Sequence, residues 1–450
     1  MMIEGGCCNS QLLKIVIHES EPREESFRIK DGETNLSRIF KVPDQIIREV
    51  GLLSFQPKIL SIGPYHHGSS HLSGMEMVKL ICQRSILGLI SENYYDRDEI
   101  KGIEKKARSF YGENITMEPN KFAEMLLLDG CFILAALTGM KGKEAVENVS
   151  SETSLGDLKQ HEALNRHDIV HDLLLEENQI PFFVLEEIHK LAAGKGETTE
   201  SLKEKIATYV KGVLRYYPTA IEISEIRWKD FHHLLHLCHI FFRPSQKPVK
   251  HNHNQAMIQC SDCFPRSHHM TNQWRRAVHY HKAGVKFKVK ESRTPHSLLD
   301  VTFSNGIMRI PHLSIDAKTE SIFSNLIMFE RGCPHVGKYI NAYVTFMSQL
   351  LSDADDVELL VRRGIIEILG REEEILNVFS RLNGLAVFDP HGEDYYLKSM
   401  LQSIEDYYRC RRNRWMAWSK HYLHYNSEAV CCSVIFQISD INLFDMQFHG

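Results

Sequence analysis

The sequence lacks a long, uninterrupted apolar run. A helix that crosses a membrane needs roughly 20 apolar residues in succession. Near the C-terminus a mostly apolar run spans only residues 429–438 and contains Ser433 and Gln437. Near the N-terminus Lys14 interrupts the apolar residues 12–17, and no cleavage site of a secretory signal follows cleanly. Taken alone, the chain therefore predicts a soluble, cytoplasmic protein without an anchor.

Cysteine and net charge are also scarce. The 11 cysteines among 450 residues are too few and too irregularly spaced for a disulfide framework, so we expect reduced thiols. The formal net charge is −5 and the sequence pI is near 6.6, so no overall field attracts nucleic acid. We predict no nucleic-acid partner. Because no segment repeats at a fixed period, a solenoid is not indicated.

Standard catalytic motifs are missing as well. His161 and Glu162 begin a zinc-protease pattern, but Asn165 stands where the second histidine would have to be. Residues 194–196 read GKG without the spacing of a phosphate-binding loop, and no Gly-x-Ser-x-Gly elbow occurs. The sequence therefore predicts no cofactor and gives no direct sign of an enzyme.

The most distinctive segment is QPKILSIGPYHHG at residues 56–68. An apolar, strand-like stretch leads into Gly63 and Pro64, which indicate a turn. The turn presents Tyr65, His66 and His67, whose imidazoles are able to donate and accept hydrogen bonds. Three interpretations stay open: these side chains tie down neighbouring backbone, bind a ligand, or take part in catalysis.

Two further polar groups stand out because they lie in apolar surroundings. Glu76 and Lys79 follow the turn, three residues apart on one helix face, where they are able to pair. Asp129 lies inside the apolar run 125–137, where an unpaired charge would be costly to bury. We therefore predict a buried polar network that joins Asp129 to the block 177–179, which consists of Glu177, Asn178 and Gln179. The alternative is a catalytic acid.

A histidine- and cysteine-rich stretch suggests a weak zinc hypothesis. Cys260 and Cys263 form a single Cys-x-x-Cys, and His268 and His269 follow it. Only one such pair occurs and the histidine spacing is irregular, so a polar loop is the alternative interpretation. We predict no metal site in this protein, and these four residues are the candidates that metal analysis would test.

The apolar periodicity predicts a mainly α protein. Spacings typical of amphipathic or buried helices recur from Met75 onwards and over most of the later chain. Around residues 285–311 alternating side chains and the Asn305-Gly306 turn predict a small antiparallel sheet or hairpin. Charged or proline-containing stretches at about 141–166 and 243–271 have no sustained period, and we expect them to be solvated, mobile excursions.

Distinctive short motifs occur along most of the chain. In order they are VP (42–43), IGPYHH (62–67), ME (75–76) with Lys79, LDGCF (128–132), ENQIP (177–181), AGVKF (283–287), FSNGIMRIP (303–311), NLIMFE (325–330), Tyr343 and DDVELL (355–360). These motifs and their order resemble those of the plant domain-of-unknown-function 247 family. The resemblance covers about residues 39–425 and implies one composite domain, with a flexible head at 1–38 and the two excursions inside it. The tail 426–450 departs from the family, whose members typically end in a hydrophobic, membrane-spanning helix.

The resemblance brings no biochemical activity with it. It implies association with the plasma membrane or another membrane, because family members typically end in a membrane-spanning helix. It also implies a protein partner, because some members of that family look like determinants of pollen and stigma recognition in grasses. We therefore expect a non-enzymatic interaction, signalling or recognition module. The alternative is an unrecognised, hydrolase-type enzyme that uses Tyr65, His66, His67 and Asp129.

Overall fold

A computed structural model of the protein describes most of the chain between residues 38 and 409. The described residues belong to one unit, which begins at residue 37. The predicted head (1–38, apart from Arg38), the tail (426–450) and nearly all of both excursions lie outside the described residues. The described ranges are 38–51, 54–88, 98–139, 167–192, 198–226, 231–245, 274–291, 295–316, 318–369, 372–387 and 395–409.

The predicted helical character is confirmed, since helices make up most of the described structure. Short 3-10 helices occur at Ser70–Met75, Ile223–Glu225 and Pro334–Val336. The α-helices are α1 (Asp44–Val50), α2 (Glu76–Leu87), α3 (Asp98–Arg108), α4 (Pro119–Thr138), α5 (His167–Asp172), α6 (Phe182–Ala192), α7 (Thr199–Val213), α8 (Leu234–Phe242), α9 (Ala277–Lys282), α10 (Thr319–Gly332), α11 (Tyr339–Leu350), α12 (Ala354–Arg362), α13 (Glu372–Leu385) and α14 (Lys398–Arg409).

Helix α4 lies at the centre of the N-terminal half. Its ends follow from local chemistry: the Glu118 carboxylate accepts hydrogen bonds from the first free backbone amides, and Gly139 ends the helix at φ 65°. Because residues 125–134 are apolar on nearly every side, this middle part of the helix is buried all round, and the helix packs against α2, α3, α6 and α7. This position brings Asp129 into the core, where its side chain is 1% exposed.

The small sheet at residues 286–310 is mixed, not purely antiparallel as the sequence suggested. The hairpin is present: β2 (Thr302–Ser304) and β3 (Ile307–Ile310) pair antiparallel around Asn305 and Gly306, which both have positive φ. Strand β1 (Lys286–Val289) pairs with β3 in parallel, giving the order β1-β3-β2. A parallel pairing requires a crossover that alternation along one strand does not reveal.

A second sheet replaces part of a predicted helix. Apolar residues recur at helical spacing over 355–369 and predict one helix there, but α12 ends at Arg362 and Gly364 turns the chain at φ 67°. The following residues form β5 (Ile366–Ile368), which pairs in parallel with β4 (Leu313–Ile315). The prediction for 366–369 was wrong because a short buried strand and a helix turn share the same apolar residues.

Candidate functional site

Residues 58–63, which lead into the distinctive turn, lie in no helix or strand, yet five of their backbone amides donate hydrogen bonds to side chains. The amides of Lys58, Ile59 and Leu60 all donate to the carboxylate of Asp172, each at 2.9 Å. Asp172 is completely buried at the end of α5. One side chain thus supplies the acceptors that a neighbouring strand would otherwise provide.

Asn178 continues this replacement of a strand partner. Its Oδ1 accepts from the amide of Ile62 at 2.7 Å, while its Nδ2 donates to the carbonyl oxygens of Leu60 and Asp172. Gln179 also binds backbone at both ends of its side-chain amide. Its Oε1 accepts from the amide of Leu235, and its Nε2 donates to the carbonyl oxygens of Leu173 and Leu175. Both amide side chains are therefore fully used in holding backbone.

Asp129 binds the last amide of the segment. Its Oδ2 accepts from Gly63 N at 2.7 Å, and its Oδ1 forms a 2.7 Å ion pair with Nζ of Lys79, which in turn donates to Glu76. Burial alone would lower the pKa of Lys79, but the carboxylates of Asp129 and Glu76 outweigh it and raise the pKa. Burial raises the pKa of Asp129, while Lys79 and the Gly63 amide oppose that rise. The ion pair is thus enclosed in protein.

Glycine is the only residue type that fits at position 63 of the turn. Its φ is +76°, and an added Cβ would lie 2.4 Å from the carbonyl oxygen of Gln179. The hydroxyl of Tyr111 donates to that same carbonyl oxygen at 3.2 Å. The turn is therefore pressed against the block 177–179, and a side chain at residue 63 would separate the two.

Glu176 and Glu177 attach the first described residues of the chain. The Glu177 carboxylate accepts from Val42 N at 2.6 Å, and its Oε2 lies 3.1 Å from Nε2 of His66. Glu176 Oε1 accepts from Phe40 N at 3.2 Å, but its buried Oε2 has no hydrogen-bond partner among the described residues. Burial, and secondarily the neighbouring Glu177, raise the pKa of Glu176 to about 8. A pKa of about 8 favours the neutral form of the Glu176 carboxyl group at pH 7.

The predicted site residues come together around one stretch of backbone, not around one cavity. Tyr65 donates to the carbonyl oxygen of Ile39 at 3.3 Å, and burial followed by the nearby Glu113 raises its pKa, so the phenol stays neutral. His66 faces Glu177, whereas the side chain after it, His67, is exposed. Pro64, between Gly63 and Tyr65, is half-buried. Tyr65 and His66 thus have different nearest partners, although Glu177 acts on both of them.

The expected network has the predicted members, but its connection runs through backbone. The described hydrogen bonds join Asp129 to Gly63, and Asn178 to Ile62 and Leu60, so the segment 58–63 links the two groups. A pocket lined by apolar residues such as Leu137, Leu173 and Tyr209 includes none of these polar side chains. Among the described residues the geometry is that of a structural network.

The zinc candidates Cys260, Cys263, His268 and His269 lie outside the described residues. Within the described ranges, no group of three or more histidine, cysteine or carboxylate side chains is arranged to hold a metal ion. The metal hypothesis for 260–269 stays a prediction.

Sequence reasoning missed several members of the network. Asp172 is the most important, followed by Asn325, which accepts from Glu176 N at 2.8 Å and donates to the carbonyl oxygen of Ser54. The signal that would have found them is the one that singled out Asp129: a short polar side chain within an apolar helical pattern. Asp172 stands directly before three consecutive leucines, 173–175.

Sequence comparison identifies the family to which this chain belongs. The chain belongs to the family described as plant protein of unknown function (DUF247), whose model matches residues 39–439. It is similar to the UPF0481 protein At3g47200 of Arabidopsis thaliana, with 26% identity over 423 residues, 89% of this chain and 83% of that protein.

A more distant relative and the solved structures complete the comparison. The putative UPF0481 protein At3g02645, also of Arabidopsis thaliana, is 19% identical over 443 residues, with 80% of each chain covered. No solved structure matches significantly. In the described part of the chain, no helix combines the length and apolar character that a membrane span requires.

Proposed function

We propose that the chain is a non-enzymatic protein-interaction module of the signalling or recognition kind, in which the signature residues build the scaffold and the surface contacts the partner. One observation carries the proposal: the oxygens of Asp129, Asp172, Glu177 and Asn178 accept hydrogen bonds from backbone amides of residues 42–63. Side chains used in this way stabilise a fold and are not free to meet a substrate.

The hydrolase-type alternative finds little support in the same geometry. A nucleophile and its base have to lie within hydrogen-bond reach of each other and beside a space for the substrate. Asp129 is instead buried against Lys79 and Gly63, and Tyr65 is a neutral phenol bound to a backbone carbonyl. No feature of the comparisons indicates an enzymatic activity.

The surface beside the scaffold offers features that suit a partner. Met77 and Ile81 lie one helical turn apart on α2, the helix that carries Lys79, and are 63% and 43% exposed. Apolar side chains at this spacing are typical anchors of protein interfaces. They support an interaction function, with the buried network holding α2 in position beneath them.

Association with a membrane is the second part of the proposal, and the family resemblance supports it. The direct test is fractionation of plant cells that express the full chain: recovery in the membrane fraction after salt washing supports the proposal, and complete recovery in the supernatant without salt contradicts it. The measurement does not depend on the partner.

The interaction itself is tested by proximity labelling in plant cells, followed by reconstitution with purified proteins. We expect at least one labelled protein to form a stoichiometric complex with the purified full chain in size-exclusion chromatography. Tyr65→Phe and His67→Ala should leave that complex unchanged. Each variant should also restore the phenotype of a plant that lacks this protein as well as the unchanged chain does. If either variant fails to restore the phenotype while its fold and complex are intact, the result would instead favour the hydrolase-type alternative.

A further inference from the structure

One face of the three-stranded sheet carries three cations that have no counter-ion among the described residues. Lys286 and Lys288 alternate with buried Phe287 on β1, and Arg309 follows buried Met308 on β3. In the strand register Lys288 stands directly opposite Arg309. Residues that are partners in register point to the same side of a sheet, so these three side chains share one face. We call Lys286, Lys288 and Arg309 the cationic face.

These charges have no described counter-ion. Among the residues that the structure describes, no carboxylate lies within salt-bridge distance of the cationic face. The polar contact described for it is a 3.4 Å hydrogen bond from Arg309 to Ser304 Oγ. Like charges directly opposite each other on neighbouring strands destabilise a sheet. A fold that keeps Lys288 beside Arg309 is therefore giving up stability at this position, as binding sites commonly do.

The size and composition of the cationic face limit what it could hold. Neighbouring strands are about 4.8 Å apart and alternate residues about 6.6 Å apart, so the three Cα atoms lie within about 5 to 8 Å of each other. Thr302 and Ser304 add hydroxyl groups on the third strand, opposite Arg309 and Ile307 respectively. This arrangement fits one or two anionic groups, which an arginine fork and two ammonium groups would bind together.

Larger polyanions fit less well. Single-stranded nucleic acid is bound by extended basic grooves with aromatic side chains for stacking, whereas the exposed positions of this sheet carry no aromatic residue and the whole chain has a net charge of −5. Basic sites for anionic lipid surfaces typically use about 4–8 lysines or arginines. Three cations and two hydroxyls instead match a short, acidic segment of protein.

We propose that the cationic face binds an acidic segment of a partner protein, which presents a phosphate group or paired carboxylates to Lys286, Lys288 and Arg309. This inference rests on the proposed interaction function and names the chemistry of the partner. Lys288 and Arg309 form the central pair, and Lys286 and the hydroxyls of Thr302 and Ser304 surround it.

The test is fluorescence anisotropy with the full chain and labelled glycine-serine peptides. One peptide carries two adjacent phosphoserines, the second carries two glutamates at those positions, and the third carries unmodified serines. We expect binding of the first or of both acidic peptides, weakened by salt, and none of the third. The variant Lys288→Gln/Arg309→Gln should lose about ten-fold or more in affinity, as expected when charge-assisted hydrogen bonds are removed.

Lys105→Gln/Lys121→Gln is the matched control, because it removes the same charge from exposed positions elsewhere. It should bind like the unchanged protein. The Lys288→Gln/Arg309→Gln variant should unfold at no lower urea concentration than the unchanged protein, because it removes a like-charge contact. Equal losses in both double variants, or no binding of either acidic peptide, would overturn the inference.

Two further outcomes identify other ligands or separate this inference from the proposed function. Binding to phosphatidylcholine vesicles containing phosphatidylserine, or to an oligothymidine, with no peptide binding, would assign the cationic face to a lipid or nucleic acid and overturn the acidic-segment proposal. If the Lys288→Gln/Arg309→Gln variant keeps its stoichiometric complex with the labelled partner, the cationic face is not the interface, while the interaction function stands. Absence of any complex with the unchanged chain contradicts the proposed function itself.

Discussion

The Glu176 carboxyl group should contribute stability that decreases as pH rises through neutrality. Its pKa is raised from the ordinary value of 4.5 to about 8 in the folded protein. A group with a raised folded-state pKa stabilises the fold fully below its unfolded pKa, and this contribution is lost as pH rises through the folded value. Glu176→Gln replaces the neutral acid with a neutral amide, which retains an oxygen to accept from Phe40 N.

The size of the effect follows from the two pKa values. Between pH 4.5 and pH 8 the contribution of Glu176 to the free energy of unfolding falls by about 1.4 kcal/mol per pH unit. From about pH 5.5 to about pH 7.5 the contribution of Glu176 therefore falls by about 2.5 kcal/mol. Since whole domains are stable by only about 5–15 kcal/mol, a change of this size is readily measured.

Urea unfolding followed by circular dichroism at the two pH values is the assay. We expect the unchanged protein to lose about 2.5 kcal/mol relative to Glu176→Gln over this interval, so that the variant gains in relative stability as pH rises. Glu200→Gln, at an exposed position of α7, is the matched control and should follow the unchanged protein. Parallel curves for Glu176→Gln and the unchanged protein would refute the reasoning, because they would mean that Glu176 is ionised in the fold.

Three further predictions concern the buried polar groups. Gly63→Ala brings a Cβ to 2.4 Å from the carbonyl oxygen of Gln179, whereas Gly68→Ala has a similar positive φ but open space around it. Urea unfolding should show Gly63→Ala to be about 2 kcal/mol more destabilising than Gly68→Ala. Equal effects would rule out the clash. Lys79→Met and Asp129→Asn should each lower the free energy of unfolding by about 3 kcal/mol, with the double variant losing much less than the sum; strict additivity would contradict a direct pair. Burial, with neighbouring histidines, holds the pKa of His236 well below its ordinary 6.5, so stability should be lost as pH falls below that value; His236→Leu should flatten acid unfolding curves, and an unchanged slope would contradict this.

Local features of the fold were predictable because they depend on a few adjacent residues. The Asn305-Gly306 turn, the positive φ of Gly284 and the cap at α12 are all present, the last through a 2.8 Å bond from Ala354 N to the Asp353 carboxylate. In each case a glycine, an asparagine or a short acid has a conformation or hydrogen bond that other residues do not favour.

The partners within the network were not predictable in the same way. Helical spacing suggested the contact of Lys79 with Glu76, which is present, but not the buried contact with Asp129 on another helix. Asp172 was missed because its three amide donors lie more than 100 positions earlier in the chain. Such pairs are set by how helices pack, and a single sequence does not contain that information explicitly.

The bonding of residues 58–63 to side chains instead of a strand has a consequence for synthesis on the ribosome. The acceptor on Asn178 is 116 positions downstream of the amide that it binds. At about 5–20 residues per second, translation needs on the order of ten seconds to produce it. Throughout that interval the Ile62 amide lacks its native acceptor, and the amides of Lys58, Ile59 and Leu60 gain theirs on Asp172 only shortly before. We therefore expect nascent chains that stop before Asn178 to remain sensitive to protease around Leu60.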